Sequence, residues 1–290
     1  MSHIDTLRSP AYDSYFLATL PTGESTPPPE TKEAHEKLFA KPQRSMVELI
    51  HEAGAGPDMH YDSGNNEPKR GFGHLAFLTP DVYKASAELE AAGVAFKKKP
   101  DEGRMKGLAF ALDPDGYWLE IVRRAEDAGF SKPFNLGQTM LRVKDPAKSL
   151  EFYRRLMGMA KICEKHFSDF SLYFLIAQPE NGPLPDINSP DTLCFITRNV
   201  FMKRSWSPVL ELTHNHGTEN DTNFSYHNGC SEPKGFSHLT FCVDDVAEAC
   251  AALEGAGARV VEACEEGGAS ACVADPDGYR VRLQRRSAAP

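Results

Sequence analysis

Residues 107–121 read Gly-Leu-Ala-Phe-Ala-Leu-Asp-Pro-Asp-Gly-Tyr-Trp-Leu-Glu-Ile. This is a strand, a tight turn and a second strand. In Asp113-Pro114-Asp115-Gly116 the proline presets φ and the glycine accepts a positive φ. After the turn, Trp118, Leu119 and Ile121 are strand formers and Glu120 interrupts them. A carboxylate alternating with large apolar residues points to the other face of the sheet. If that face is enclosed, the charge needs a partner or a metal. The same turn recurs at 275–278, and there the position matching Glu120 is Arg282.

Outward from this turn the repeat extends along the chain. GFGHLAFLTPDV at 71–82 matches GFSHLTFCVDDV at 235–246, YDSGNNEP at 61–68 matches YHNGCSEP at 226–233, and VELIH at 47–51 matches LELTH at 210–214. The segment 136–159 reads as a strand, Asp145-Pro146 as a helix opening, then a helix. It has no counterpart in the first half, where Tyr15-Phe16-Leu17 already matches Tyr173-Phe174-Leu175 and the first glutamine is Gln43. Each half is itself double, and the unit is strand-helix-strand-strand-strand. Whole units are expected at 71–124, 136–216 and 235–286, and a truncated one at roughly 12–54. Gly93 and Gly158 are read as helix stops. Residues 1–127 form the first half and 128–290 the second, with 125–135 linking them. Segments 22–43 and 178–208 are loop-rich, with Pro27, Pro28 and Pro29 in one and Pro179, Pro183, Pro185 and Pro190 in the other.

A length of 290 residues allows two ordinary domains, and 41% hydrophobic with 25% charged residues fits a globular chain. A net charge of −9 with no basic stripe argues against a nucleic-acid partner. There is no apolar run near 18 residues, so no membrane span is expected, and no secretory signal opens the chain. The seven cysteines are odd in number and contain no Cys-x-x-Cys, which reads as reduced thiols in a cytoplasmic protein.

Each unit carries one polar residue early and one late: Gln138 with Glu211, His74 with Glu120, and His238 with Arg282, while the truncated unit keeps Glu48. A single strand histidine is more often a satisfied structural residue than a ligand. The repeat places the whole set at equivalent strand positions, which points to a nitrogen/oxygen metal site.

With these residues in place, the chain resembles glyoxalase I, lactoylglutathione lyase, of the vicinal-oxygen-chelate superfamily. The resemblance rests on QTMLRVKDPAKSLEFY, FSLYFL, LELTHN with GTEND, SYHNG, GFGHLAF, KKPDEGRMKGLAF and DPDGYWLEI, and covers nearly the whole chain. It implies an α+β fold of tandem βαβββ modules, three complete and one truncated at its N-terminus. It also implies one divalent metal per chain, held by Gln138 and Glu211 from the second half and His74 and Glu120 from the first. Zn2+ is the expected ion, with Ni2+ as the alternative, and glutathione is the co-substrate. By the same resemblance Arg142, Asn215 and Arg70 bind the glutathione carboxylates, and a loop carrying Lys98, Arg104, Met105 and Lys106 covers the site. The family reaction moves a proton between neighbouring carbons of the methylglyoxal–glutathione hemithioacetal to give S-lactoylglutathione. Glu120 is assigned as the base and Glu211 as its counterpart for the other enantiomer. Phe170, Leu172, Phe174, Leu108 and Phe110 are read as shelter for the methyl group, or as ordinary core.

The other site has lost its parts. Glu48 and His238 remain, but a guanidinium at Arg282 cannot ligate a cation, and Glu52 stands where Asn215 does in the intact set. Arg282 is expected to pair with Glu48. The loop there is acidic, with Glu262, Glu265 and Glu266. A non-catalytic binding protein, or another enzyme of the superfamily, is the alternative reading. A dioxygenase would want two histidines and a carboxylate around iron. The chain is expected to be a monomer with an internal interface between halves, although an unpaired sheet edge could pair with another copy.

Overall fold

The computed structural model describes residues 1–40, 45–56, 59–177, 208–264 and 267–287. Gln43, the prolines at 179, 183, 185 and 190, and Glu265 and Glu266 lie outside the described residues.

The central sheet has eight strands and draws on both halves. From the first half come β4 (Phe72–Thr79), β5 (Phe96–Lys98), β6 (Ala109–Leu112) and β7 (Trp118–Arg123). From the second come β8 (Asn135–Arg142), β9 (Met159–His166), β10 (Phe170–Ala177) and β11 (Val209–Asn215). Their order is β5-β6-β7-β4-β8-β11-β10-β9. A second sheet holds β12 (His238–Val243), β13 (Arg259–Glu262), β14 (Ser270–Ala274) and β15 (Arg280–Arg285), ordered β12-β15-β14-β13. A third holds β1 (Ser2–Arg8), β2 (Tyr12–Ala18) and β3 (Met46–Glu52) in sequence order.

In the three complete units the first strand pairs in parallel with the last: β4 with β7, β8 with β11 and β12 with β15. Parallel neighbours need a crossover, and a helix supplies it each time. These helices are α2 (Val82–Ala91), α3 (Pro146–Leu150) and α4 (Val246–Gly255). Asp81, Asp145 and Asp245 cap them by accepting hydrogen bonds from first-turn backbone N–H groups. Helix α3 continues to Leu156 in wider, π-type turns. The first unit shows β1–β3 among the described residues; its strands start at Ser2 rather than near residue 12, and a short helix α1 (Lys32–Lys37) lies inside the segment expected to be loop.

Strand alternation divides the central sheet. One face carries Leu141, Leu210, Leu212 and Leu175 into the main core with Phe152 and Tyr153 of α3 and with Val246, Val281 and Leu283 of the last unit. Val82, Ala85, Ala109 and Ile121 form a smaller core under α2. The opposite face is left for the polar residues. Where the units cross, Phe72 stacks on Phe236 at 4.7 Å and 8°. The chains touch so closely there that a Cβ on Gly71 would lie 1.9 Å from the His227 carbonyl oxygen, which is why glycine precedes each histidine-bearing strand. The six described cysteines are thiols rather than disulfides.

Candidate metal and substrate site

The turn at 113–116 forms as read. Gly116 sits at φ 85°, and the Asp113 carboxylate accepts from Asp115 N at 3.0 Å and Tyr117 N at 2.8 Å. This fixes the start of β7. Register then aligns the polar set. Ala76 lies opposite both Glu120 and Gln138, and Met140 lies opposite both His74 and Glu211. Aligned residues share a face, so His74, Glu120, Gln138 and Glu211 project to the same side of neighbouring strands β7, β4, β8 and β11.

Their tips converge. His74 Nε2 lies 3.4 Å from Glu120 Oε2 and 3.9 Å from Glu211 Oε2. Gln138 Nε2 donates to Glu120 Oε2 at 3.1 Å and to Glu211 Oε2 at 2.6 Å, and stands 3.5 Å from His74 Nε2. His74, Glu120 and Glu211 are buried. Burial alone would favour a neutral imidazole, but the Glu120 and Glu211 carboxylates outweigh it and hold His74 above its ordinary value. Burial pushes Glu211 up to about 7, with His74 opposing and Glu120 adding to the rise.

Does this set fit a cation? Tetrahedral ligand bonds of about 2.0–2.2 Å place donor atoms about 3.3–3.6 Å apart. The His74–Glu120, Gln138–His74 and Gln138–Glu120 separations of 3.4, 3.5 and 3.1 Å are close to that. The set also contains two buried carboxylates with one imidazole, a charge imbalance a divalent cation would correct. As they stand, the Gln138 amide hydrogens point into the centre, and among the described residues no three His, Cys, Asp or Glu side chains are arranged to hold a metal ion. Turning that amide over presents its oxygen instead and requires no backbone movement.

Around the centre, the Phe110 ring meets His74 edge-on at 5.3 Å. Thr213 Oγ1 donates to Glu211 Oε1 at 3.3 Å. Phe174 pairs with Glu211 across β10 and β11, and it packs with Leu172 in a small cluster that also holds Ile176 and Val209.

The remaining residues divide. Asn215 Nδ2 donates to the Tyr226 hydroxyl at 2.8 Å. Arg142 is buried and largely committed to protein: Nη1 donates to the carbonyls of Gly64, Gly71 and Phe72 at 3.1, 3.3 and 3.0 Å, and Nη2 to Asn65 Oδ1 at 2.8 Å. Burial and the nearby Arg70 guanidinium hold Arg142 below its usual range. Arg70 is more exposed and donates to Glu67 at 3.1 Å. At the end of β5, Lys98 Nζ donates to the Leu108 carbonyl at 2.6 Å and so ties the base of the loop that follows, in which Arg104, Met105 and Lys106 are exposed. Asn65 and Tyr226 were not singled out from sequence. Asn65 differs from its repeat partner Cys230 inside a matched motif, and that difference was the available signal.

The second cluster is built differently. Glu48 accepts from Ser14 Oγ at 2.6 Å and lies 3.2 Å from His238 Nε2. Arg282 is the more distant partner at 3.8 Å, so the expected Arg282–Glu48 pair forms but is shared with His238 and Ser14. Burial works to raise the Glu48 carboxyl; His238, Ser14 and Arg282 overcome that and hold it below its ordinary value. Glu52 makes a two-oxygen contact with Lys234, at 3.0 and 2.9 Å. Lys234 precedes Gly235 as Arg70 precedes Gly71, so the two changed residues neutralise each other.

Comparisons with known proteins give the family. The model of the Glyoxalase/Bleomycin resistance protein/Dioxygenase superfamily matches residues 21–121 and 135–283. Glyoxalase I of Saccharomyces cerevisiae is 38% identical over 88% of this chain and 76% of its own length. The chain belongs to the glyoxalase I (lactoylglutathione lyase) family. The lactoylglutathione lyase of Schizosaccharomyces pombe is 39% identical over 77% of this chain and 69% of its own. The structure of glyoxalase I from Zea mays superposes with a TM-score of 0.65 over 99% of this chain and 84% of that one; at 24% identity it speaks for the family fold. Among the described residues no helix is long and apolar enough to cross a membrane.

Proposed function

We propose that this family member converts the methylglyoxal–glutathione hemithioacetal to S-lactoylglutathione at one site per chain, formed by both halves. The observation that carries the reading is the convergence of His74 and Glu120 from the first half with Gln138 and Glu211 from the second, with His74 and Gln138 each within 3.9 Å of both carboxylates. In this reading those four hold a divalent cation, Zn2+ or alternatively Ni2+. When bound, the cation supplies stabilisation for negative charge developing on two adjacent oxygens.

The residues of the chain do the rest. Glu120 takes the carbon-bound proton and returns it one atom away, and Glu211 does the same from the opposite side for the other enantiomer. Gln138 and His74 keep the ligand sphere fixed. The Arg70 and Arg142 guanidiniums repel each other, and an anionic group between them relieves that repulsion. Glutathione carries such carboxylates, and Asn215 with Tyr226 offers amide and hydroxyl contacts beside them. Phe110, Leu172 and Phe174 exclude water near the reacting carbons. The chain acts in the cytoplasm as a monomer whose halves complete the site internally.

The test is a spectrophotometric assay for thioester formation from methylglyoxal and glutathione, run with metal analysis of the same sample. Thioester formation that tracks one equivalent of metal supports the reading. Binding of glutathione conjugates without turnover at any metal loading would favour the non-catalytic alternative.

A further inference from the structure

A second group of nitrogen donors gathers at one end of β9, β10 and β11. Phe167 N donates to the Phe170 carbonyl at 2.9 Å and closes the β9–β10 turn. Ser171 then pairs with His166 on one side and with His214 on the other. Past β11, His216 N donates to the Asp169 carbonyl at 3.0 Å, which holds the chain against the same turn. These contacts bring two imidazoles onto one hydroxyl: Ser171 Oγ lies 2.9 Å from His166 Nδ1 and 2.8 Å from His216 Nε2. Ser171 is buried, and both histidines are exposed.

The outer nitrogen of each ring faces an acceptor. His166 Nε2 lies 3.5 Å from Glu164 Oε1, and the other Glu164 oxygen accepts from Lys161. His216 Nδ1 lies 3.3 Å from the Ser168 carbonyl oxygen. These acceptors draw the proton of each neutral imidazole to its outer nitrogen and leave a lone pair on the inner one. A hydroxyl has one proton to give. Ser171 therefore satisfies one inner lone pair, and the other meets its oxygen. A cation satisfies both. A carboxylate or carbonyl behind the imidazole is also the usual support of a metal-bound histidine. Tetrahedral ligation needs donors about 3.3–3.6 Å apart, and exposed rings can move outward that far. His214 stands aside: its ring is 5.5 Å from that of His216, but its Nε2 meets Glu219 at 2.8 Å. The fold does not impose this arrangement. In the first half the matching residues are Arg8 and Asp13, an ion pair at 2.6 Å, and Ala53.

We propose that His166, Ser171 and His216 form a second, exchangeable site for a divalent transition-metal ion. Imidazole donors select Cu2+, Ni2+ or Zn2+ over Mg2+ and Ca2+, and Cu2+ binds most tightly of these. With no carboxylate among its ligands, this site is weaker than the one in the central sheet and loses its ion on desalting. When filled, it ties the β9–β10 turn to the residue beside Asn215.

The test uses the full chain, desalted with its central metal in place, and Cu2+ as the probe in the absence of glutathione. Expected is one added equivalent whose electron paramagnetic resonance spectrum shows two equatorial nitrogens. His166→Ala and His216→Ala should each weaken binding at least tenfold and remove one nitrogen from the spectrum. Ser171→Ala should weaken it while keeping both nitrogens, and His51→Ala, which changes another exposed histidine, should leave it unchanged. The added equivalent should persist in Gln138→Leu, which separates this site from the central one. No added ion at about 100 µM free Cu2+, a spectrum without two nitrogens, binding insensitive to His166→Ala or His216→Ala, or binding lost in Gln138→Leu would each overturn the proposal and leave the reading of the central site standing.

Discussion

Consider Glu120→Gln. The side chain keeps its shape but loses its charge and its ability to accept a carbon-bound proton. Removing a positioned base costs about 10²–10⁴ in turnover, equivalent to about 2.7–5.4 kcal/mol of barrier. Unfolding does not provide that loss. Glu120 and Glu211 share a single imidazole, and the Glu120 charge is one of the reasons Glu211 is pushed up to about 7. Neutralising Glu120 relieves that repulsion in the metal-free chain, so thermal stability should stay level or rise there. Affinity for an S-alkyl glutathione should remain within about threefold, because Arg70, Arg142 and Asn215 are untouched. The assay is saturating thioester kinetics on metal-loaded protein, with calorimetry for the inhibitor and a melting curve as control. Near-normal kcat in a folded, metal-loaded variant refutes the assignment and moves the base to Glu211. A fall in melting temperature that parallels the loss of activity refutes the claim that the effect is chemical.

Arg142→Ala should lower stability by at least about 2 kcal/mol, since three carbonyls and Asn65 lose a buried donor; denaturant melts will show it, and Arg142→Lys should not rescue the fork. Metal affinity should fall as pH falls, by about tenfold per unit or more, because a cation must displace both the proton Glu211 holds below about 7 and the proton on His74, which the two carboxylates hold above its ordinary value; titration with a competing chelator from pH 5.5 to 8 measures the slope. Glu48 is held below its ordinary value, so its contribution is present above about pH 4.5 and is lost as pH falls through the lower folded value. Glu48→Gln should therefore flatten the acid side of the stability–pH curve without changing turnover. Fragments 1–130 and 131–290 should each be inactive alone.

The duplication was legible because long matched stretches put His74 against His238 and Glu120 against Arg282. Register did the rest: once β4 and β8 lie side by side, the four polar residues must share a face. What sequence could not show was how the loop around 61–73 returns over β8. That approach makes Arg142 a clamp on Gly64, Gly71 and Phe72, and it brings in Asn65. Similarly, sequence showed Glu52 only as a change from the asparagine of the intact set, because its partner Lys234 lies 182 residues away. Strand β1 carries Asp5 and Arg8 among few apolar residues, so neither alternation nor the repeat marked it.

The central claim is one metal-dependent site shared between halves and one site lost. Metal content of the purified, active chain tests it most directly, measured before and after exchange of Gln138 for leucine. The account predicts one tightly held equivalent that disappears, with turnover, in Gln138→Leu. Full activity with no metal, two equivalents, or one equivalent that survives Gln138→Leu and is lost instead in Glu48→Gln would contradict it.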